Sequence, residues 1–198
     1  MSDFFKSAWF RCISVLLVIA VVLGGLLAVL NDVLYVTSEE RTGRAIKKIY
    51  GENKEYSVTL DVDGEDEKIE YDCGSINKIF IVGDKKSGSY DTLFQTTGYQ
   101  GYKNGTITVW VKVAHSEGKA VIDKVILESY DKQTLMSKLD STYYNAYLTD
   151  VTTAYKDGKK FTTTPNNGEF SNPVSGATFS ANAGNNAVNC VINYLGEN

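Results

Sequence analysis

At 198 residues with a formal net charge of −4, the chain is long enough for one domain and an anchor, and no basic patch marks it for nucleic acid. Its three cysteines, Cys12, Cys73 and Cys190, and its one histidine have no spacing that fits a zinc or iron–sulfur site. No P-loop, dinucleotide fingerprint or nucleophile elbow is present, and a triad enzyme would need His115, which falls in Ala114-His115-Ser116-Glu117-Gly118 and reads as a solvated hairpin turn.

From Cys12 to Asn31 there is no charged residue, and Ile13 to Leu30 is almost wholly aliphatic. As a helix this run spans about 30 Å, the thickness of a bilayer's hydrocarbon core. A cleaved signal peptide is the rival reading, but its apolar core would be shorter and no small-x-small site follows. The run therefore predicts a retained single-span anchor at about 12–31, within an N-terminal segment of 1–36. Lys6 and Arg11 flank its start, and the only charges between Asn31 and Glu40 are acidic. That bias predicts a cytoplasmic N-terminus and a domain on the outer face of the cell membrane, although Arg41, Arg44, Lys47 and Lys48 follow soon after. Ala20, Gly24 and Ala28 recur every fourth residue, a spacing that either lets another helix approach closely or reflects ordinary membrane-helix composition.

A linker of 37–55 follows. Ser38 is placed to cap a short helix with Glu39 and Glu40 in its first turn, Ala45, Ile46, Ile49 and Tyr50 form its apolar stripe, and Gly51 ends it. The domain proper is expected at 56–198. Tyr56, Val58, Leu60 and Val62 alternate with polar residues, Asp63-Gly64 signals a turn, and Ile69, Tyr71 and Cys73 alternate beyond it. Ile79 to Val82 reads as a short buried strand stopped by Gly83. Ile107, Val109, Val111 and Val113 form a strand that returns, through Glu117-Gly118-Lys119, along Ala120 to Leu127. Leu135, Leu139, Tyr143 and Tyr147 then predict a helical stretch from Thr134 to Tyr147.

A turn-rich segment from Pro165 to Pro173 precedes Val174-Ser175-Gly176-Ala177-Thr178-Phe179-Ser180. This small-residue loop feeds a predicted helix, about Asn182 to Leu195, whose apolar face holds Ala183, Ala187, Val188, Val191, Ile192 and Leu195. Ser180 or Asn182 is expected to cap it, and Gly196 to end it. Such a loop either binds a phosphate, since glycine lets backbone N–H groups approach and a helix start is partly positive, or simply caps the helix.

Ser175-Gly176-Ala177-Thr178 resembles the S/T-G-A-T flavinylation motif of FMN-binding domains, found in the G subunit of the Rnf electron-transport complex and the C subunit of the sodium-translocating NADH:quinone oxidoreductase. Gly98-Tyr99-Gln100-Gly101 also resembles the family's G-Y-x-G segment, and Thr134 is what remains of its E-T-P-G-L-G segment. The acidic residue and glycine usual just ahead of the motif align with Asn172 and Pro173. The resemblance implies FMN joined covalently to Thr178 by a flavin transferase, with Ser175, Gly176, Ala177, Ser180 and Thr134 around the cofactor. Tyr143 and Tyr144 are placed to stack on a ring or to pack in the ordinary way. No catalytic acid–base residue and no metal ligand is expected.

The expected fold is α+β, a twisted, mostly antiparallel sheet with packed helices, tethered by one N-terminal transmembrane helix. The implied function is an electron carrier in an Rnf-type ion-translocating complex between ferredoxin and NAD, partnered by the other membrane and peripheral subunits. A stand-alone surface flavoprotein for extracellular electron transfer and an anchored binding module without flavin are the alternatives.

Overall fold

Alternating β-branched and aromatic residues form the centre of the molecule, a six-stranded antiparallel sheet. The structure, a computed structural model, describes residues 8–34, 37–63, 66–139, 143, 147–148, 151–152, 155–156 and 177–197. Two compact units divide the chain, Met1–Thr42 and Gly43–Asn198.

The first unit contains α1, Ala8–Leu34, in which Cys12–Asn31 is long and apolar enough to cross a membrane. Lys6 lies outside the described residues. The next helix, α2 (Ser38–Tyr50), starts one residue earlier than expected. Thr37 rather than Ser38 is the cap: its Oγ1 accepts from Glu40 N at 3.2 Å and its carbonyl accepts from Arg41 N at 3.1 Å. At its other end Gly51, at φ 80°, donates its N–H to the Lys47 carbonyl, the left-handed stop that the sequence predicts.

In the second unit the sheet order is β1 (Tyr56–Asp61), β3 (Gly74–Asp84), β4 (Ser89–Gly98), β5 (Ile107–Ser116) and β6 (Lys119–Tyr130), and β2 (Ile69–Tyr71) also pairs with β3. The segments either side of Asp63 do not form the hairpin their alternation suggests. Both β1 and β2 lie on one edge of β3, which bulges between Ile76 and Lys78, so the tight turn is Asp72-Cys73, with Tyr71 paired to Gly74. Gly64 lies outside the described residues. Nor does Gly83 stop β3: at φ 95° it stays paired to Tyr90, a conformation glycine adopts freely. A two-residue loop, Glu117-Gly118 with φ of 51° and 74°, joins β5 to β6 in the primed-turn geometry that matches strand twist. His115 therefore belongs to β5, paired with Tyr90 and Ala120, and not to the turn.

Side chains alternate between two apolar layers. Phe80, Val82, Leu93 and Trp110 pack with Ile46 and Ile49 of α2. On the opposite face Ile79, Phe94, Val109, Val111 and Val113 pack with α3, Thr178–Glu197. Each such side chain contributes about 2 kcal/mol when taken out of water. α3 begins four residues earlier than its apolar pattern predicts, and it is buried on more than one face, since Asn185, Asn186 and Asn189 are as enclosed as Ala187 and Val188. The stretch from Thr134 is not a helix at its start: Leu135 is exposed at φ 61° and a 3-10 turn covers Met136–Lys138. Leu139, Tyr147 and Val151 reach the core.

Candidate functional site

Gly98, the last residue of β4, fixes where α3 can lie. A Cβ there would stand 1.9 Å from the Ala183 carbonyl oxygen and 2.4 Å from Ala187 N, so only glycine lets helix and strand backbones meet. The adjoining residue ties the same junction: Tyr99 O accepts from Asn186 Nδ2 at 2.9 Å, and Tyr99 N donates to Cys73 O at 2.9 Å. Asn186 is 1% exposed and its Oδ1 has no partner among the described residues.

Beyond Tyr99, a glycine-flanked loop is closed by Gly101 N to Gly105 O, 3.0 Å, and Gly105 N to Tyr102 O, 2.9 Å. Gln133, after the end of β6, fastens it. Its Oε1 accepts from Tyr102 N at 3.0 Å and from Ser180 Oγ at 2.8 Å, and its Nε2 donates to Asp131 O at 2.8 Å. Glycine is needed at positions 101 and 105 because added Cβ atoms would meet the backbone oxygens of Gly105 at 2.7 Å and Asp131 at 2.2 Å respectively. Gln100, Lys103, Asn104, Lys132 and Leu135 all have positive φ in these same loops, so backbone strain is concentrated at this end of the sheet.

Into this end projects the first turn of α3. Ala177 is buried, its carbonyl accepts from Ala181 N at 2.9 Å, and it occupies the capping position. Thr178 is the first helical residue and half-buried; Phe179 is 61% exposed; Ser180 is buried inside the first turn. Ser180 and Asn182 are thus not the caps predicted for this helix. The amides of Thr178, Phe179 and Ser180 have no intrahelical acceptor, and no acidic residue stands in the first turn to offset their partial positive charge. An anionic group on or beside the Thr178 hydroxyl would meet that field. Ser180 has one hydroxyl proton and directs it to Gln133; the Thr134 carbonyl is farther, at 3.4 Å. A phosphate would have to displace Gln133 to receive that proton.

Of the six residues expected around a cofactor, Ala177, Thr178 and Ser180 share the helix start, and the exposed Thr134 joins them through its carbonyl. Ser175 and Gly176 lie outside the described residues, as do Asn172, Pro173 and Tyr144. Tyr143 stacks on Tyr147 at 5.6 Å, and the Tyr147 hydroxyl donates to Asn185 Oδ1 at 2.6 Å, so this pair supports α3 from its side. Sequence reasoning gave no role to Gln133, Asn186 or Phe179. The signal for Asn186 was a polar side chain on a helix otherwise read as apolar, and for Phe179 an aromatic next to the candidate threonine; Gln133, among Asp131, Lys132 and Thr134, carried none.

A second concave feature lies at the other end of α3, whose Tyr194 turn is roughly 24 Å along the helix from Thr178 at 1.5 Å per residue. Lys85, Tyr90, Thr92, His115, Tyr155 and Tyr194 are among the residues that line a cavity of about 390 Å³. The His115 ring stacks on Tyr90 at 4.4 Å, and Thr92 Oγ1 is 3.0 Å from its Nε2. Burial, with a smaller contribution from Lys85, holds the imidazole below its ordinary range against the opposing pull of Asp91.

Compared with protein-family models, curated proteins and solved structures, the chain matches none.

Proposed function

We propose that the chain is a membrane-anchored electron carrier with FMN bound covalently through a phosphoester to Thr178, and that it serves as the G subunit of an Rnf-type ion-translocating complex between ferredoxin and NAD. The observation that carries this reading is the position of Thr178. Its hydroxyl stands on the first turn of α3, where three amides lack intrahelical partners and no carboxylate competes. Exposed Phe179 beside it offers an apolar surface to a planar ring, and the Gln133-fastened glycine loops lie next to it. Phosphate attachment keeps a cofactor on an outer-face domain, where a dissociated one would be lost. Flavin supplies the redox chemistry, and the protein's part is to hold and orient it. The other Rnf subunits are the partners, a flavin transferase makes the bond, and the Lys6/Arg11 flank favours a cytoplasmic N-terminus. Intact mass of the full-length chain, expressed with and without a flavin transferase, tests the reading: it predicts a gain of one FMN less one water, and an unchanged mass would refute it.

The cavity at His115 favours a second reading, an anchored binding module. It has aromatic walls and a few convergent polar groups, the usual make-up of a small-molecule site. Purified chain with no flavin but a co-purifying small molecule would support that reading over the first.

A further inference from the structure

The turn between β2 and β3 and the middle of α3 bring two thiols together. Cys73 Sγ and Cys190 Sγ are 3.4 Å apart, although 117 residues separate them in sequence. Cys190 is fully buried, and Cys73 is partly exposed. The Cys190 thiol is also 3.3 Å from the Asn186 carbonyl, and Asn193 Nδ2 approaches Cys73 Sγ at 3.7 Å. Gly74 gives the room: its backbone passes Cys190 so closely that a Cβ would lie 3.0 Å from the sulfur.

We propose that Cys73 and Cys190 are a reversible dithiol–disulfide pair that, when oxidised, staples the β2–β3 turn to α3. The oxidant is a disulfide of the glutathione or protein-thiol class. The more exposed partner, Cys73, loses its proton to solvent and attacks one sulfur of that disulfide, forming a mixed disulfide and releasing one thiolate. Cys190 then attacks Cys73 Sγ, its proton leaving with the second released thiolate. The protein loses two electrons and two protons, and the external disulfide becomes two thiols. Asn193 favours this order, because an amide donor stabilises a thiolate at Cys73. Contact with Cys73 and burial push the Cys190 thiol well above the ordinary cysteine range, so it reacts second. The staple stands apart from any cofactor at Thr178.

The test uses the full-length chain in detergent, equilibrated in glutathione buffers from fully reduced to fully oxidised, quenched by alkylation and mapped by peptide mass. The expected result is a Cys73–Cys190 linked peptide that forms in oxidised buffer and disappears on reduction, with a melting temperature about 10 °C higher in the linked form, as closure of a long loop implies. In Cys190→Ala, Cys73 should instead hold glutathione as a mixed disulfide. Full alkylation of Cys73 and Cys190 in the native wild-type chain in oxidised buffer would overturn the proposal, as would a link from either of them to Cys12.

Discussion

Gly98 and Ala183 meet backbone to backbone: a Cβ on the glycine would lie 1.9 Å from the alanine's carbonyl oxygen. Neither partner can yield, since β4 is held by β3 and β5 and the carbonyl belongs to the body of α3. Gly98→Ala should therefore lift the start of α3 off the sheet and destabilise the domain by about 3 kcal/mol or more, at the upper end of what overpacking costs. Urea unfolding of the variant measures this; a loss under about 1 kcal/mol would mean that helix and strand are not in contact there.

Lys78 is placed for charge rather than packing. Its side chain is 4% exposed and its Nζ lies 2.9 Å from Asp61 and 2.6 Å from Asp63. Burial works against its charge, yet the hydrogen bonds and charges of Asp63 and Asp61 together hold it above the ordinary lysine range. Removing both carboxylate charges in Asp61→Asn/Asp63→Asn takes two anionic partners from a buried ammonium, and should cost about 3 kcal/mol. Chemical unfolding at neutral pH checks this, and near-wild-type stability would show that the charge is satisfied without them.

How much was legible follows from which residues obey a period. β5 alternates cleanly, β6 returns from it through a tight turn, and Cys12–Asn31 of α1 carries no charge, so the sequence announces them. β4 was missed because Leu93 and Phe94 are both fully buried, on opposite faces of a central strand, while Thr92, Gln95 and Thr96 interrupt any apolar run. The β1–β2 hairpin was misread because alternation reports a strand's two faces and says nothing of which neighbour it takes. The start of α3 was misplaced because Thr178, Phe179 and Ser180 carry no apolar period and Ala177 caps with its backbone alone. At the candidate site, the motif singles out Thr178 in the sequence, and the structure puts that residue at the start of α3. Gln133 was not legible, since its importance lies in three hydrogen bonds, two of them to distant segments.

Those three bonds make Gln133 a test of how the site end is held together. Gln133→Leu keeps the bulk but takes the acceptor from the Tyr102 N–H and leaves the buried Ser180 hydroxyl only the Thr134 carbonyl at 3.4 Å. The expected loss is about 2–3 kcal/mol, together with faster amide exchange in residues 101–105. Unchanged exchange in that loop would contradict the role assigned to this side chain.

His115 predicts a pH dependence of defined sign. Its folded pKa lies below the ordinary value of 6.5, so the unfolded chain binds the proton more readily. The stabilising contribution is present above the ordinary value and is lost as pH falls through the window just below it. His115→Gln should flatten stability across that window relative to the wild-type chain, measured as the difference in urea midpoint between the two. Parallel pH profiles would exclude His115 as a source of the slope.

The central claim rests on one hydroxyl. Thr178→Ala removes it from a half-buried position at the start of α3, where alanine is compatible with a helix, so the fold should persist by circular dichroism. The most direct measurement is in-gel flavin fluorescence after denaturing electrophoresis of the wild-type chain and Thr178→Ala, each co-expressed with a flavin transferase and followed by peptide mass mapping. The account predicts a fluorescent wild-type band with the flavin mass on Thr178, and a dark variant band of equal protein amount. A fluorescent Thr178→Ala band, or flavin mapped to Ser175 or Ser180, would contradict it.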